Sequence, residues 1–337
     1  MSTDALTDPA RQAPATAAPA APAARERSAT PRLRGLLWLS LRQNCLLLWL
    51  LVALTVLTAA NLLWIHVASQ HIVGVLRRTG CYTSNSDACW TVLAPINEPY
   101  FWFGSVLQPA VTAVPLLIGV FIGAPLLAQE HERGTIRLIR AQSVSPVRWL
   151  AARLAVPGLA VLALTGVLAS LMTWVWWNDL IKGPASFDPP FQFFTYPALG
   201  LAPIVWSLFA LALGVLVGQV VRRTLPAMFL TAALVAITHG LMRWARPSFH
   251  STVDAVVPLG ALQPNNAWLV DVKTVFPDGR RISTESCFDP HSCDGAVNTW
   301  LSYHPAGHLV PIQLVESGIL LALTAAALLA VFRLIRR

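Results

Sequence analysis

Gln129-Glu130-His131-Glu132-Arg133-Gly134-Thr135 stands between two apolar runs, residues 106–128 and 150–176, each long enough to cross a bilayer. Glu, His and Arg side chains are expensive to hold in hydrocarbon, so the segment is expected to be a loop on one membrane face. Its composition is too ordered for a plain linker. Two acids flank a histidine, a Gly-Thr pair follows, and Ile136, Leu138 and Ile139 then sit among Arg137 and Arg140. This reads as a short amphipathic element at the membrane surface, where a soluble partner can press on it.

Composition extends that reading to the whole chain. Hydrophobic residues make up 55% of it and charged residues 12%, against about 25% charged in an ordinary soluble domain. The sequence therefore predicts an all-α integral membrane protein, and its net charge of +8 is assigned to arginines on the cytoplasmic face, with no nucleic-acid partner. Lys182 and Lys273 are the only lysines in a chain rich in Ala and Arg, which fits a GC-rich bacterial genome and a plasma-membrane location. Residues 1–31 are rich in Ala, Pro, Thr and Arg without an apolar core, the composition of a disordered cytoplasmic tail. Residues 32–44 mix Leu33, Leu36, Leu37 and Leu41 with Arg34 and Arg42, which suggests an interfacial helix leading into the first span.

A spanning helix needs about 20 mostly apolar residues. Six stretches qualify: 45–67, 106–128, 150–176, 197–221, 225–243 and 311–332. Residues 32–243 thus carry the entry helix and five spans, 244–310 an outer cap, and 311–337 the sixth span and a cytoplasmic end. Placing both termini inside puts 16 Arg on the cytoplasmic side and leaves 8 Arg and Lys outside, the asymmetry expected of inner loops. Trp174, Trp176, Trp177, Tyr100, Phe101 and Trp102 then fall at outer boundaries, where aromatic belts form.

Cysteine placement agrees with that topology. Cys81 and Cys89 fall in the first outer loop, Cys287 and Cys293 in the last. On an oxidising face they are expected as two disulfides, paired locally as Cys81–Cys89 and Cys287–Cys293 by sequence proximity. His291 between the second pair raises metal binding as a rival, but Cys-x5-Cys is not a usual zinc spacing. The cap mixes polar turns, Gln263–Asn266 and Phe276–Gly279, with an apolar piece, 253–262, expected to be re-entrant or interfacial.

Catalytic patterns are missing. No G-x-x-x-x-G-K-[ST], H-E-x-x-H or G-x-S-x-G occurs, so the sequence offers no catalytic residue, no cofactor site and no metal ligand set, and His131 reads as a solvated loop histidine. Ionisable residues in the spans are His66, His239, Arg243 and Glu316, all near outer ends, where they are either functional or snorkel to the headgroups. Mid-span positions are Leu, Ala, Val and Gly. A proton-driven carrier needs buried carriers of charge there, so energy is expected to come from outside the chain.

The stretch from Gly123-Ala124-Pro125 through Glu130-His131-Glu132-Arg133-Gly134-Thr135, followed by Gln142-Ser143-Val144-Ser145-Pro146-Val147-Arg148-Trp149, resembles the permease subunits of ABC-2 type exporters, and the stretch 303–337 resembles actinobacterial members. The resemblance implies six spans, a second permease protomer (identical or related), and a separate ABC ATP-binding subunit that carries ATP and Mg. It also implies that Glu130, Glu132, Gly134 and Thr135 form the coupling element docking on that subunit. Ile136-Arg137 departs from the family's usual Leu-Glu. The substrate is expected to be amphiphilic or lipid-like, because the spans offer apolar surface and few charges. A membrane-embedded enzyme and a non-transporting sensor or immunity protein are the rival readings.

The topology is tested by single-cysteine accessibility. Probes at Arg140 and Arg222 should label only from the cytoplasm and probes at Ala185 and Glu285 only from outside; labelling of Arg140 and Glu285 positions from one side would overturn the six-span arrangement.

Overall fold

The computed structural model describes residues 45–80, 97–134, 145–177, 189–259, 266–288 and 293–336. The tail, the interfacial helix expected over 32–44, the Cys81–Cys89 pair and Thr135 lie outside them.

Six helices are long and apolar enough to cross a membrane: α1 (Cys45–Thr79), α2 (Phe101–Glu132), α3 (Pro146–Trp176), α4 (Ala202–Val221), α5 (Thr224–Ala245) and α6 (Leu309–Arg336). The helical membrane architecture with six spans therefore holds. Several boundaries move, two of them for readable reasons. The first helix runs twelve residues past the expected end at residue 67, and Arg77 and Arg78 sit in its last turn, where cations complement the helix dipole. The fourth span starts at Ala202 rather than 197 because Gly200, at φ +61°, separates it from one helical turn at Thr195–Ala198.

Local chemistry sets the other ends. Ser145 caps α3, its hydroxyl accepting from the Arg148 amide at 3.3 Å, with Pro146 in the first turn. Arg222 closes α4 in the left-handed region, φ +59°, and only Arg223 then precedes α5. The long second span contains two π-helical stretches, Phe101–Leu107 and Gly119–Gly123. Each lies just before a proline, Pro109 or Pro125. A proline cannot donate to the carbonyl four residues earlier, and its ring crowds that carbonyl. Widening the preceding turn relieves both defects.

The most buried span is α4, which packs against α2, α3, α5 and α6. Its contact with α2 is backbone to backbone. Gly119 and Gly123 of α2 face Ala210, Leu211 and Gly214 of α4, while Gly218 lies on Ala124; a Cβ at any of these four glycines would meet a facing carbonyl oxygen at under 3.0 Å. Two small-xxx-small pairs thus interlock, a close approach that gains dispersion energy where the hydrophobic effect contributes nothing. Apolar layers lie along this seam. Leu62, Phe103, Met172, Trp176 and Leu199 pack at the end where the cap joins, and Leu127, Leu150, Val215, Val331 and Ile335 at the other.

The segment before α6 is a four-stranded antiparallel sheet in the order β1-β4-β2-β3: β1 (Val253–Pro258), β2 (Trp268–Val275), β3 (Arg281–Ser283) and β4 (Asn298–His304). The turn expected at Phe276–Gly279 joins β2 to β3, with Gly279 at φ +82° and its amide donating to the Phe276 carbonyl. The re-entrant reading of 253–262 is corrected: Val253–Pro258 pairs along β4. Its valines are β-branched and suit a pleated, half-exposed surface, and six residues cannot reach into a bilayer and back.

The glycine seam predicts a specific sensitivity. Gly214→Val should lower the thermal unfolding midpoint of the purified protein sharply, by an overpacking cost of about 1–3 kcal/mol or more. Gly158→Val, where nothing lies within 4 Å of an added Cβ, should leave it unchanged. Equal midpoints for both variants would show that the seam does not set the bundle.

Candidate functional sites at the two ends of the bundle

The charged stretch between the second and third spans is the last turn of α2 rather than a loop. Helix continues through Glu132, and the chain turns at Arg133 and at Gly134, φ +70°. Each of the three residues expected to face solvent reaches a different neighbour. Glu130 is buried and accepts from Arg153 of α3. His131 Nε2 lies 3.0 Å from Gln219 Oε1 of α4, so it is not a free loop histidine. Exposed Glu132 accepts from the Thr224 amide at 2.8 Å and from its hydroxyl at 2.6 Å.

That last contact answers a local need. Arg223 supplies no side-chain cap to α5, so the carboxylate of another helix caps its first turn, where negative charge also meets the positive end of the dipole. One turn of α2 thereby ties α3, α4 and α5. Consecutive residues diverge by about 100° around a helix, which is why three neighbours can serve three partners. The surrounding surface is basic: Arg133, Arg148, Arg222, Arg223, Arg333 and Arg336 are all exposed at this end.

The opposite end holds a second polar cluster. Glu316 of α6 is 2% exposed, so it is turned inward and does not snorkel. It accepts four bonds: from Arg246 Nε at 3.0 Å and Nη2 at 3.2 Å, from Tyr196 at 2.8 Å and from Trp206 Nε1 at 2.9 Å. Those four donors fill the acceptor sites of a carboxylate, the condition under which a buried ion pair is tolerable. The Arg246 guanidinium also lies 3.7 Å from the Tyr196 ring centroid. One helical turn earlier, Gln313 donates to the Tyr196 and Leu199 carbonyls, at 3.3 and 2.9 Å. Gly200, at φ +61°, packs against the Gln313 amide, so a side chain there would be strained and would have to displace Gln313. Sequence reading singled out Glu316 but not Arg246 or Tyr196. A lone acid inside an apolar helix is itself the signal that a buried cation must be sought.

Beside this cluster, Thr112, Pro115, Phe194, Trp206, Val235 and His239 line a cavity of about 290 Å³. Its walls are apolar except for Thr112 and His239, whose Nε2 is buried with no hydrogen-bond partner among the described residues. In the cap, Cys287 and Cys293 are joined, their Cα atoms 5.4 Å apart. The sites contain no paired nucleophile and base; they can hold helices in register and receive an apolar molecule with one polar group.

The model of the family described as ABC-2 membrane transporter related matches residues 52–246. No curated protein and no solved structure matches the chain.

The buried pair gives a double-mutant test. Glu316→Gln should destabilise by about 3–5 kcal/mol, because it strands the Arg246 charge. Adding Arg246→Met should recover part of that loss, read as the unfolding midpoints of wild type, both single variants and the double variant. A double variant no better than either single one would show that the two side chains are not energetically paired.

Proposed function

This chain belongs to the ABC-2 membrane transporter related family, and from that premise we propose that it is the membrane-spanning permease subunit of an ATP-driven exporter in a bacterial plasma membrane. The single observation that carries the proposal is the reach of the family match, which takes in five of the six spans. ATP and Mg are bound by a separate ATP-binding subunit, since this chain has no phosphate-binding motif and is itself no enzyme.

We assign the docking of that subunit to the Glu132 end of the bundle. Its exposed arginine collar supports a cytoplasmic position for this end and both termini. The coupling element is the turn at Glu132 and Gly134, to which the sequence adds Thr135 outside the described residues, with Glu130 behind the turn as a positioning residue acting through Arg153. Two protomers pair through their membrane helices. α5 offers an apolar face for this, with Phe229, Ile237, Leu241 and Trp244 exposed. The cargo is an amphiphilic or lipid-like molecule moved outward. The cavity beside Trp206 and His239 supports that class, because its apolar walls suit a hydrocarbon portion and the free His239 nitrogen suits one polar group.

Two substitutions separate support from coupling. Glu130→Ala leaves the largely buried Arg153 without its carboxylate and should lower the unfolding midpoint. Glu132→Ala removes an exposed cap; the fold and membrane level should persist, while copurification of the ATP-binding subunit falls at least about threefold, as loss of a charge-assisted interface contact predicts. Full partner yield and full export in the Glu132 variant would remove the coupling role from this turn.

A further inference from the structure

Three histidines far apart in the sequence converge where the cap meets the bundle. His250 follows the end of α5, His304 ends β4, and His308 stands at the entry to α6. One ring nitrogen from each lies within 4.8 Å of the other two. We propose that His250, His304 and His308 form a binding site for a divalent transition metal, zinc foremost, which staples the cap to the last two spans.

The hydrogen bonds around the rings favour ligation. His304 is fully buried, and its Nε2 lies 3.1 Å from the Pro247 carbonyl. A carbonyl only accepts, so Nε2 carries the hydrogen and the Nδ1 lone pair is left facing His308. His250 Nδ1 lies 3.0 Å from the Ser251 carbonyl, which by the same reasoning leaves its Nε2 lone pair free. Backbone carbonyls that fix the tautomer and orientation of a ligating imidazole are the usual outer support of a metal site.

Spacing agrees. Tetrahedral zinc with nitrogen ligands at 2.0–2.1 Å holds those nitrogens about 3.3 Å apart. The His304 and His308 Nδ1 atoms are 3.2 Å apart. A third nitrogen no more than 4.8 Å away needs only a modest ring rotation to close on the same point, and a water completes the fourth position. Three imidazoles suit zinc, copper or nickel and suit magnesium or calcium poorly. The competing account is an imidazole–imidazole hydrogen bond without metal, and it predicts no metal uptake.

The test uses the full chain, purified with a tag that contains no histidine, freed of metal by chelator and returned to micromolar free zinc. About one zinc per chain should be retained through gel filtration. Co(II) in place of zinc should show the visible d–d absorption of a low-symmetry nitrogen site. His308→Ala and His250→Ala, both at partly exposed positions, should each weaken zinc binding about 10-fold or more. Zinc should raise the unfolding midpoint of wild type and leave that of either variant unchanged. Retention below about 0.1 zinc per folded wild-type chain, or binding by both variants as tight as wild type, would overturn the site.

Discussion

The closeness of α2 and α4 is the constraint on which the rest of the bundle depends. Gly119 and Gly123 on one helix and Gly214 and Gly218 on the other let two backbones touch. In lipid no hydrophobic force drives helices together, so contact area and packing must do so. The seam places α4 at the centre, and α4 then carries a polar anchor near each end: Gln219 beside His131, and Trp206 beside Glu316. A side chain at the seam would move both anchors away from their partners. The polar clusters follow from the glycines rather than the reverse.

The two clusters solve one electrostatic problem in different ways. At the cap end the acid is deep, so all its acceptor sites are filled and its cation is stacked on an aromatic ring. Low dielectric makes such a network stiff and makes the loss of any one member costly. At the Glu132 end Glu130 and Arg153 form the ion pair withdrawn from solvent, while Glu132 remains exposed and caps α5. A surface carboxylate keeps its water and contributes less to stability, so this end can exchange partners at modest cost where the other cannot.

Span number and the Phe276–Gly279 turn were legible in the sequence because each is local: an apolar run has a length, and a Pro-Asp-Gly turn has its own chemistry. The charged stretch at the end of α2 reads as a loop in the sequence for the complementary reason. Glu130, His131 and Glu132 are polar, and hydropathy cannot know that Arg153, Gln219 and Thr224 stand ready to receive them 23, 88 and 92 residues later. The Arg246–Glu316 pair spans 70 residues and was hidden in the same way. The valines of β1 read as membrane-seeking because apolar content was weighed without β-branching. The glycine pairs at 119 and 123 and at 214 and 218 carried a readable spacing signal, but glycine in a span is common enough that only the facing backbone shows its purpose.

α6 joins the two ends physically. It is one unbroken rod of 28 residues, about 42 Å at 1.5 Å per residue. Val331 and Ile335 pack against Leu127 and Leu150 near the charged turn of α2, while Gln313 and Glu316 grip the connector at Tyr196 and Leu199. His308 begins the same rod two turns beyond Glu316, beside the last residue of β4. A displacement of the last turn of α2 thus meets close packing first, then a continuous helix, then a hydrogen-bonded ion pair, and only then the cap. Close-packed interiors transmit strain and do not absorb it. For a force applied at Glu132, the cap is therefore mechanically near although it lies at the far end of the bundle.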